Sequence, residues 1–313
     1  MILRLSYGFL TEVSLMEAYE MMDQVTQITS GAGFIAALDQ SGGSTPKALG
    51  LYGVDASAYG SEEEMFAEVQ RMRERIILAP DFDNNKVIGA ILFERTMDET
   101  IAGKPVAHYL WEDTGVVPFL KIDKGLENET DGVQLMKAMP QLETTLAKAK
   151  EAGIFGTKER SFIKAANLKG IVKVVSQHFE IAQMVIASGL VPIIEPEVDI
   201  HAPDKAEAED MLRAALSAKL ALLPKGQQVM LKLTIPENAG QYDELADHPA
   251  VMRVVALSGG YSTDEATARL SRNSKMIASF SRALTQGLQR DMSDTEFDTA
   301  LAANIDKIYK ASA

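Results

Sequence analysis

Lys232 stands in the apolar run VMLKLTIP (229–236), and two glutamates, Glu195 and Glu197, stand in LVPIIEPEV (190–198). An amine confined among apolar residues has two uses, pairing or chemistry. Deprotonated, it attacks a ketone or aldehyde carbon and, on loss of water, becomes a Schiff base. A carboxylate on the neighbouring run can carry the protons that this dehydration moves. A plain salt bridge between Lys232 and Glu195 or Glu197 is the alternative use of the same residues.

Other apolar runs carry charges in the same way. Side chains of a strand alternate faces with period two. One face then carries Ile35, Ala37 and Asp39, another Val117, Phe119, Lys121 and Asp123, and a third Lys158, Arg160 and Phe162, provided extended backbone begins as early as Lys158. Glu195 shares a face with Glu197, and Lys232 with Met230 and Thr234. A charge inside a strand buried on both sides is costly unless it is paired or lines a site. The charges cluster near the C-terminal ends of five runs, so a shared site is expected, with an ion-pair layer capping the core as the alternative. Two loops add anion-binding chemistry. After VVAL come a serine, a glycine pair and an acidic helical segment, the layout of a cup of backbone N–H groups made by Ser258, Gly259 and Gly260, with Arg282 beside it. QSGGSTPK (40–47) follows Asp39 and suits a second anionic group, with Lys121 and Arg160.

The elements that must hold these residues repeat along the chain. Eight β-rich runs recur: GFIAALD (33–39), KVIGAILF (86–93), GVVPFLKID (115–123), RSFIKAAN (160–167), LVPIIEPEV (190–198), QVMLKLTIP (228–236), VMRVVALSGG (251–260) and KMIASFS (275–281). Helical periodicity lies between them over 62–78, 133–153 and 206–223. The spacing of about 35 residues suits βα units, and eight such units close a (β/α)8 barrel whose active site lies at the C-terminal ends of its strands. An open doubly wound sheet is the alternative, but no G-x-G-x-x-G follows the first run. No Pro-, Gly- or Ser-rich linker divides the chain. The expectation is an α/β TIM barrel in a single domain over 31–313, ending in a helical tail and preceded by an N-terminal helical extension over 1–30.

Composition narrows the function. The 313 residues are 46% hydrophobic and carry a net charge of −13, so non-specific nucleic-acid binding is not expected. An acidic chain that binds an anion must gather local positive charge against its own field. There is no cysteine, hence no disulfide, thiol nucleophile or thiolate metal site. His108, His178, His201 and His248 show no metal-ligand spacing. Met16, Met65 and Met72 read as core filling. No apolar run approaches the ~20 residues of a membrane span. The first residues, MILRLSYGFLTEVSLMEAYEMM, lack a basic leader and a cleavage site, so a cytoplasmic protein is expected.

The motifs ALDQSGGS, FLKIDKG, TKERSFIK, IIEPE, MLKLTIP, LSGGYS and ASFSRAL, in this order from Gly33 to Leu284, carry a family resemblance. The chain resembles class I (Schiff-base) fructose-bisphosphate aldolase in its shorter bacterial form. The resemblance implies a (β/α)8 barrel that cleaves fructose 1,6-bisphosphate reversibly into dihydroxyacetone phosphate and glyceraldehyde 3-phosphate, without metal or other cofactor. Lys232 would be the Schiff-base nucleophile and Glu195 the proton-transfer group, with Glu197 and Lys158 setting charge and orientation. Asp39 would take the C4 hydroxyl proton. Ser258, Gly259 and Arg282 would hold the C1 phosphate, and Ser41, Ser44, Lys121 and Arg160 the C6 end. The partners implied are sugar phosphates and further copies of the chain, as a dimer or tetramer. Two residues depart from the animal enzymes: Gln40 stands where they carry an acid, and Tyr309 is not the last residue. A Schiff-base lyase for another sugar phosphate and a non-catalytic sugar-phosphate-binding barrel are the alternative functions.

Overall fold

The computed structural model describes residues 12–41 and 45–312, with side chains from residue 19 onward. Eight parallel strands follow one another around a nearly closed barrel: β1 Phe34–Leu38, β2 Val87–Leu92, β3 Val117–Lys121, β4 Gly156–Ile163, β5 Val191–Val198, β6 Val229–Thr234, β7 Val251–Leu257 and β8 Met276–Ala278. Neighbours in sequence are neighbours in space throughout. At the seam, β1 and β8 are joined by one long backbone hydrogen bond just past β8, from Ala37 N–H to the Phe280 carbonyl at 3.4 Å. Strands β1 and β2, FIAAL and VIGAIL, are buried at every residue, as strands covered on both faces must be.

Helices α1 Glu12–Ser30, α2 Glu62–Ile77, α3 Leu142–Glu151, α4 Leu168–Ala187, α5 Lys205–Leu220, α6 Thr263–Leu270 and α7 Asp294–Ser312 accompany the strands. Local chemistry sets their ends. Ser61 caps α2 by accepting from the Glu64 N–H at 3.2 Å, three glutamates fill its first turn and Arg75 its last. Met65, Val69, Met72 and Ile76 then form the buried stripe of α2. Asn167 caps α4 through the Gly170 N–H at 3.1 Å.

The core has two parts. Between strands and helices lies one large apolar layer; inside the barrel, Ile35, Ile91, Val117, Phe119, Ile193, Met230, Val255 and Ile277 fill the lower half. The end of α1 closes that lower face. Ile28 joins the inner cluster, and Arg253 of β7 donates to the carbonyls of Ile28 at 2.9 Å and Gly31 at 2.8 Å.

Two expected elements shift. The fourth strand runs over 156–163 rather than 160–167, because the charged TKER segment points Lys158 and Arg160 into the barrel, where both are paired. The helix expected over 133–153 occupies only Leu142–Glu151. Pro140 cannot sit inside a helix, and Val133–Gln134 instead pairs antiparallel with the end of β4.

Gly156 begins β4 because nothing larger fits. A Cβ there would lie 2.2 Å from the Val191 carbonyl oxygen and 2.9 Å from the Phe119 ring. Gly156→Ala is therefore expected to cost about 1–3 kcal/mol in urea melts and to displace Lys158, two residues along. Unchanged stability would mean that β4 is not anchored there.

Candidate active site

The apolar filling of the barrel stops half-way up, and charged side chains continue it toward the C-terminal ends of the strands. Parallel pairing sets their level: Lys121 of β3 lies beside Lys158 of β4, and Arg160 of β4 beside Glu195 of β5. The β5–β6 ladder pairs Ile193 with Met230 and Ile194 with Leu231. Higher up, the Thr234 hydroxyl donates to the Val198 carbonyl at 2.8 Å and accepts from its N–H at 2.9 Å, rejoining the two strands. Glu195 and Lys232 face each other between these two attachments.

Four side chains form one chain of alternating charge. Lys158 Nζ lies 2.6 Å from Asp39 Oδ2 and 2.9 Å from Glu195 Oε2, and Lys232 Nζ lies 3.1 Å from Glu195 Oε1. All four are between 3 and 11% exposed. Burial alone would raise the carboxyls of Asp39 and Glu195, but the ammonium groups of Lys158 and Lys232 outweigh it and hold both below their ordinary range. Burial disfavours the Lys158 ammonium, yet Asp39 and Glu195 together hold it charged far above the usual lysine range. Glu197 is opposite in sense to Glu195. Burial pushes its carboxyl up, and the guanidinium of Arg160, in close contact with it, offsets this only in part. Two carboxylates on one strand face are thus tuned apart, one toward holding charge and the other toward holding a proton.

These groups wall a cleft of about 800 Å3. Asp39, Ser41, Lys121, Lys158, Arg160, Glu195, Glu197, Lys232, Ser258, Gly259 and Arg282 all line it, so the structure brings together the residues singled out in the sequence, with two exceptions. Ser44 lies outside the described residues. Gly260 is exposed and does not line the cleft; a Cβ there would be 3.0 Å from Ile200 and 3.8 Å from the Arg282 guanidinium. Gly259 has φ +58°, and a Cβ there would press within 2.7 Å of Ile200, which explains a glycine at that turn. The start of α6 is not open to an anion in the expected way: its cap Ser262 accepts from the Glu265 N–H at 3.2 Å, and Asp264 and Glu265 occupy its first turn. Lys121 donates to the backbone and side-chain oxygens of Asp123, both at 2.8 Å. Tyr309, on α7, packs against the outer core and not the cleft.

Lys47, Phe93, Lys124 and Ser281 also line the cleft and were not singled out. Lys47 ends the QSGGSTPK segment in sequence but stands on a short helix, Thr45–Leu51, that begins within it; its place after Asp39 was the available signal. Among the described residues, seven lysines and arginines line the cleft against five carboxylates. A chain of net charge −13 thus builds a positive mouth.

The family model described as fructose-bisphosphate aldolase class-I matches residues 20–236, more than half of the chain. The fructose-bisphosphate aldolase class 1 of Synechocystis sp. is 57% identical over 290 residues, covering 93% of this chain and 97% of that protein. The chain belongs to the class I fructose-bisphosphate aldolase family. Among solved structures, the fructose-bisphosphate aldolase of Plasmodium falciparum, in complex with TRAP and a small-molecule inhibitor, superposes with a TM-score of 0.73 at 20% identity over 94% of each chain. A protein of Corynebacterium glutamicum gives 0.52 at 15% identity, over 95% of this chain and 94% of the other. At such identities the superpositions establish the shared barrel fold. In this class I aldolase the family match spans β1 to β6 and so includes both Glu195 and Lys232.

The charge chain predicts how stability depends on pH. Because Asp39 and Glu195 are held below their unfolded values of about 4, their ionisation favours the folded protein above that pH, and the contribution is lost as pH falls through the folded values. In Lys158→Met two buried carboxylates lose the cation between them, and burial raises their folded values with Lys232 left to oppose it. The variant is expected to be about 3–5 kcal/mol less stable than the parent near neutral pH, with the gap narrowing as pH falls below about 4. Denaturant melts at the two pH values check this; an equal gap at both would mean that the loss is packing and not charge.

Proposed function

We propose that the chain cleaves fructose 1,6-bisphosphate reversibly into dihydroxyacetone phosphate and glyceraldehyde 3-phosphate, through a Schiff base on Lys232. The observation that carries the reading is Glu195, which touches the amine of Lys232 with one oxygen and lies against Lys158 with the other. The Lys232 amine passes its proton to Glu195 and attacks the C2 carbonyl. Glu195 returns a proton to the carbinolamine hydroxyl, which leaves as water, and the imine nitrogen keeps a proton. Asp39, ionised and held by Lys158, takes the C4 hydroxyl proton. The C3–C4 bond then breaks, its electron pair moves onto the iminium to give an enamine, and the aldehyde product leaves. Protonation at C3 and hydrolysis of the imine release the ketone product and regenerate Lys232. Glu197, with Arg160, sets the charge and orientation beside this path.

Ser258, Gly259 and Arg282 hold the C1 phosphate in this reading, and Ser41, Ser44, Lys121 and Arg160 the C6 phosphate. The excess of cations around the cleft suits a doubly phosphorylated substrate. The same residues would serve a Schiff-base lyase for a singly phosphorylated sugar, so substrate preference is the discriminating test. The chemistry asks nothing of a metal, because the protonated imine is the electron sink.

Lys232→Met is expected to lower cleavage at least about thousandfold, as loss of a covalent nucleophile does, while the substrate still binds. Lys121→Ala is expected to raise KM for the bisphosphate about tenfold, the loss of one charge-assisted contact, and to leave fructose 1-phosphate cleavage nearly unchanged. Equal effects on both sugars would favour the lyase for a singly phosphorylated substrate. Treatment with EDTA should leave the rate unchanged; a loss restored by a divalent cation would contradict the metal-free reading.

A further inference from the structure

Arg73 lies on the buried stripe of α2, among Met65, Val69, Met72 and Ile76, and is 1% exposed. Its Nη1 donates to the Thr96 hydroxyl at 2.8 Å, and its Nη2 donates to the backbone carbonyl of Gln40 at 2.5 Å and to Gln40 Oε1 at 3.4 Å. The guanidinium carbon stands 5.9 Å from the centre of the Phe93 ring. Among the described residues no carboxylate pairs with it directly. Burial pushes its pKa down to about 10, and the charge that opposes this is Asp39, the residue before Gln40. A buried arginine without an ion pair is a burden on stability, and stability alone would be served better by an apolar side chain on that stripe.

Gln40 uses the other end of its amide as well. Its Nε2 donates to the Ser281 hydroxyl at 2.7 Å. Ser281 precedes Arg282, so the chain Arg73–Gln40–Ser281 crosses the β1–β8 seam, which among the described residues the backbone joins only through the long Ala37–Phe280 hydrogen bond. The end of β1, carrying Asp39, and the loop after β8, carrying Arg282, are thus fastened to each other and to α2 by side chains.

We propose that Arg73, acting through Gln40, is a positioning residue for carbon–carbon cleavage: it fixes Asp39, at the end of β1, against the C4 hydroxyl. Arg73 touches no reacting atom. The inference rests on the aldolase reading, because it assigns Asp39 to one step of that reaction.

The test uses two reactions of the same full-length protein. Cleavage of fructose 1,6-bisphosphate needs both Lys232 and Asp39. Exchange of the C3 proton of dihydroxyacetone phosphate with solvent needs the Lys232 imine but no C4 proton transfer. Arg73→Met is expected to lower kcat for cleavage about a hundredfold, the effect of a misplacement of about 1 Å, with KM and the exchange rate each within about threefold of the parent. Arg73→Lys, which keeps a cation facing the Gln40 carbonyl, is expected to recover much of that loss. Gln40→Ala, which removes the bond to Ser281 and leaves the backbone carbonyl on Arg73, is expected to lower cleavage about tenfold with exchange unchanged; it decides the matter if Arg73→Met does not fold. Cleavage unchanged, or cleavage and exchange falling together, would overturn the positioning role. Absence of exchange in the parent would overturn the aldolase reading itself, which is a different result.

Discussion

Glu195 holds two ammonium groups at once, and the rest of the site is arranged so that it can. One oxygen faces Lys232 and the other faces Lys158, whose remaining side is taken by Asp39. Four full charges almost without solvent are tolerable only if their signs alternate and each has a close partner. That requirement fixes the relative heights of β1, β4, β5 and β6 to within one residue, because a shift of one would turn each side chain to the opposite face. It also explains the glycine at the foot of β4, which lets Phe119 and the Val191 carbonyl approach closely enough to keep the register.

Strand β4 carries polarity on its outer face too. Behind Lys158 and Arg160, Glu159 and Ser161 point to α4, where His178 lies 3.3 Å from Glu159 and 2.8 Å from the Ser161 hydroxyl. Burial pushes the Glu159 carboxyl far up, with Asp123 adding to it, and pushes His178 down to about 3. Both shifts favour the neutral form. A hydrogen-bonded cluster on one face and an ion-pair chain on the other let one strand bury four polar residues, Thr157, Lys158, Glu159 and Ser161.

That double polarity is why β4 was the hardest element to read in the sequence. Its register shows in contacts with β3 and β5, and the run 156–163 has too few apolar residues to announce a buried strand. Strands rich in Val, Ile and Leu were legible to within two or three residues at most ends, because burial on both faces writes itself as composition. The period-two faces of Asp39, Glu195, Glu197 and Lys232 were legible as well, since charges inside such runs have few explanations. Arg73 left a usable signal, a cation on the apolar stripe of α2, but what it grips lies across the barrel seam and no local pattern encodes it. The helix over 133–153 was misread because periodicity extends through Pro140, whereas the backbone cannot.

The central claim is that the amine of Lys232 becomes covalently bound to the ketone substrate. Incubation with dihydroxyacetone phosphate and borohydride, followed by intact mass and peptide mapping, tests it directly. A single reduced adduct on Lys232, absent from Lys232→Met, is the predicted result. Ligand binding without an adduct, or an adduct on another lysine, would contradict the account.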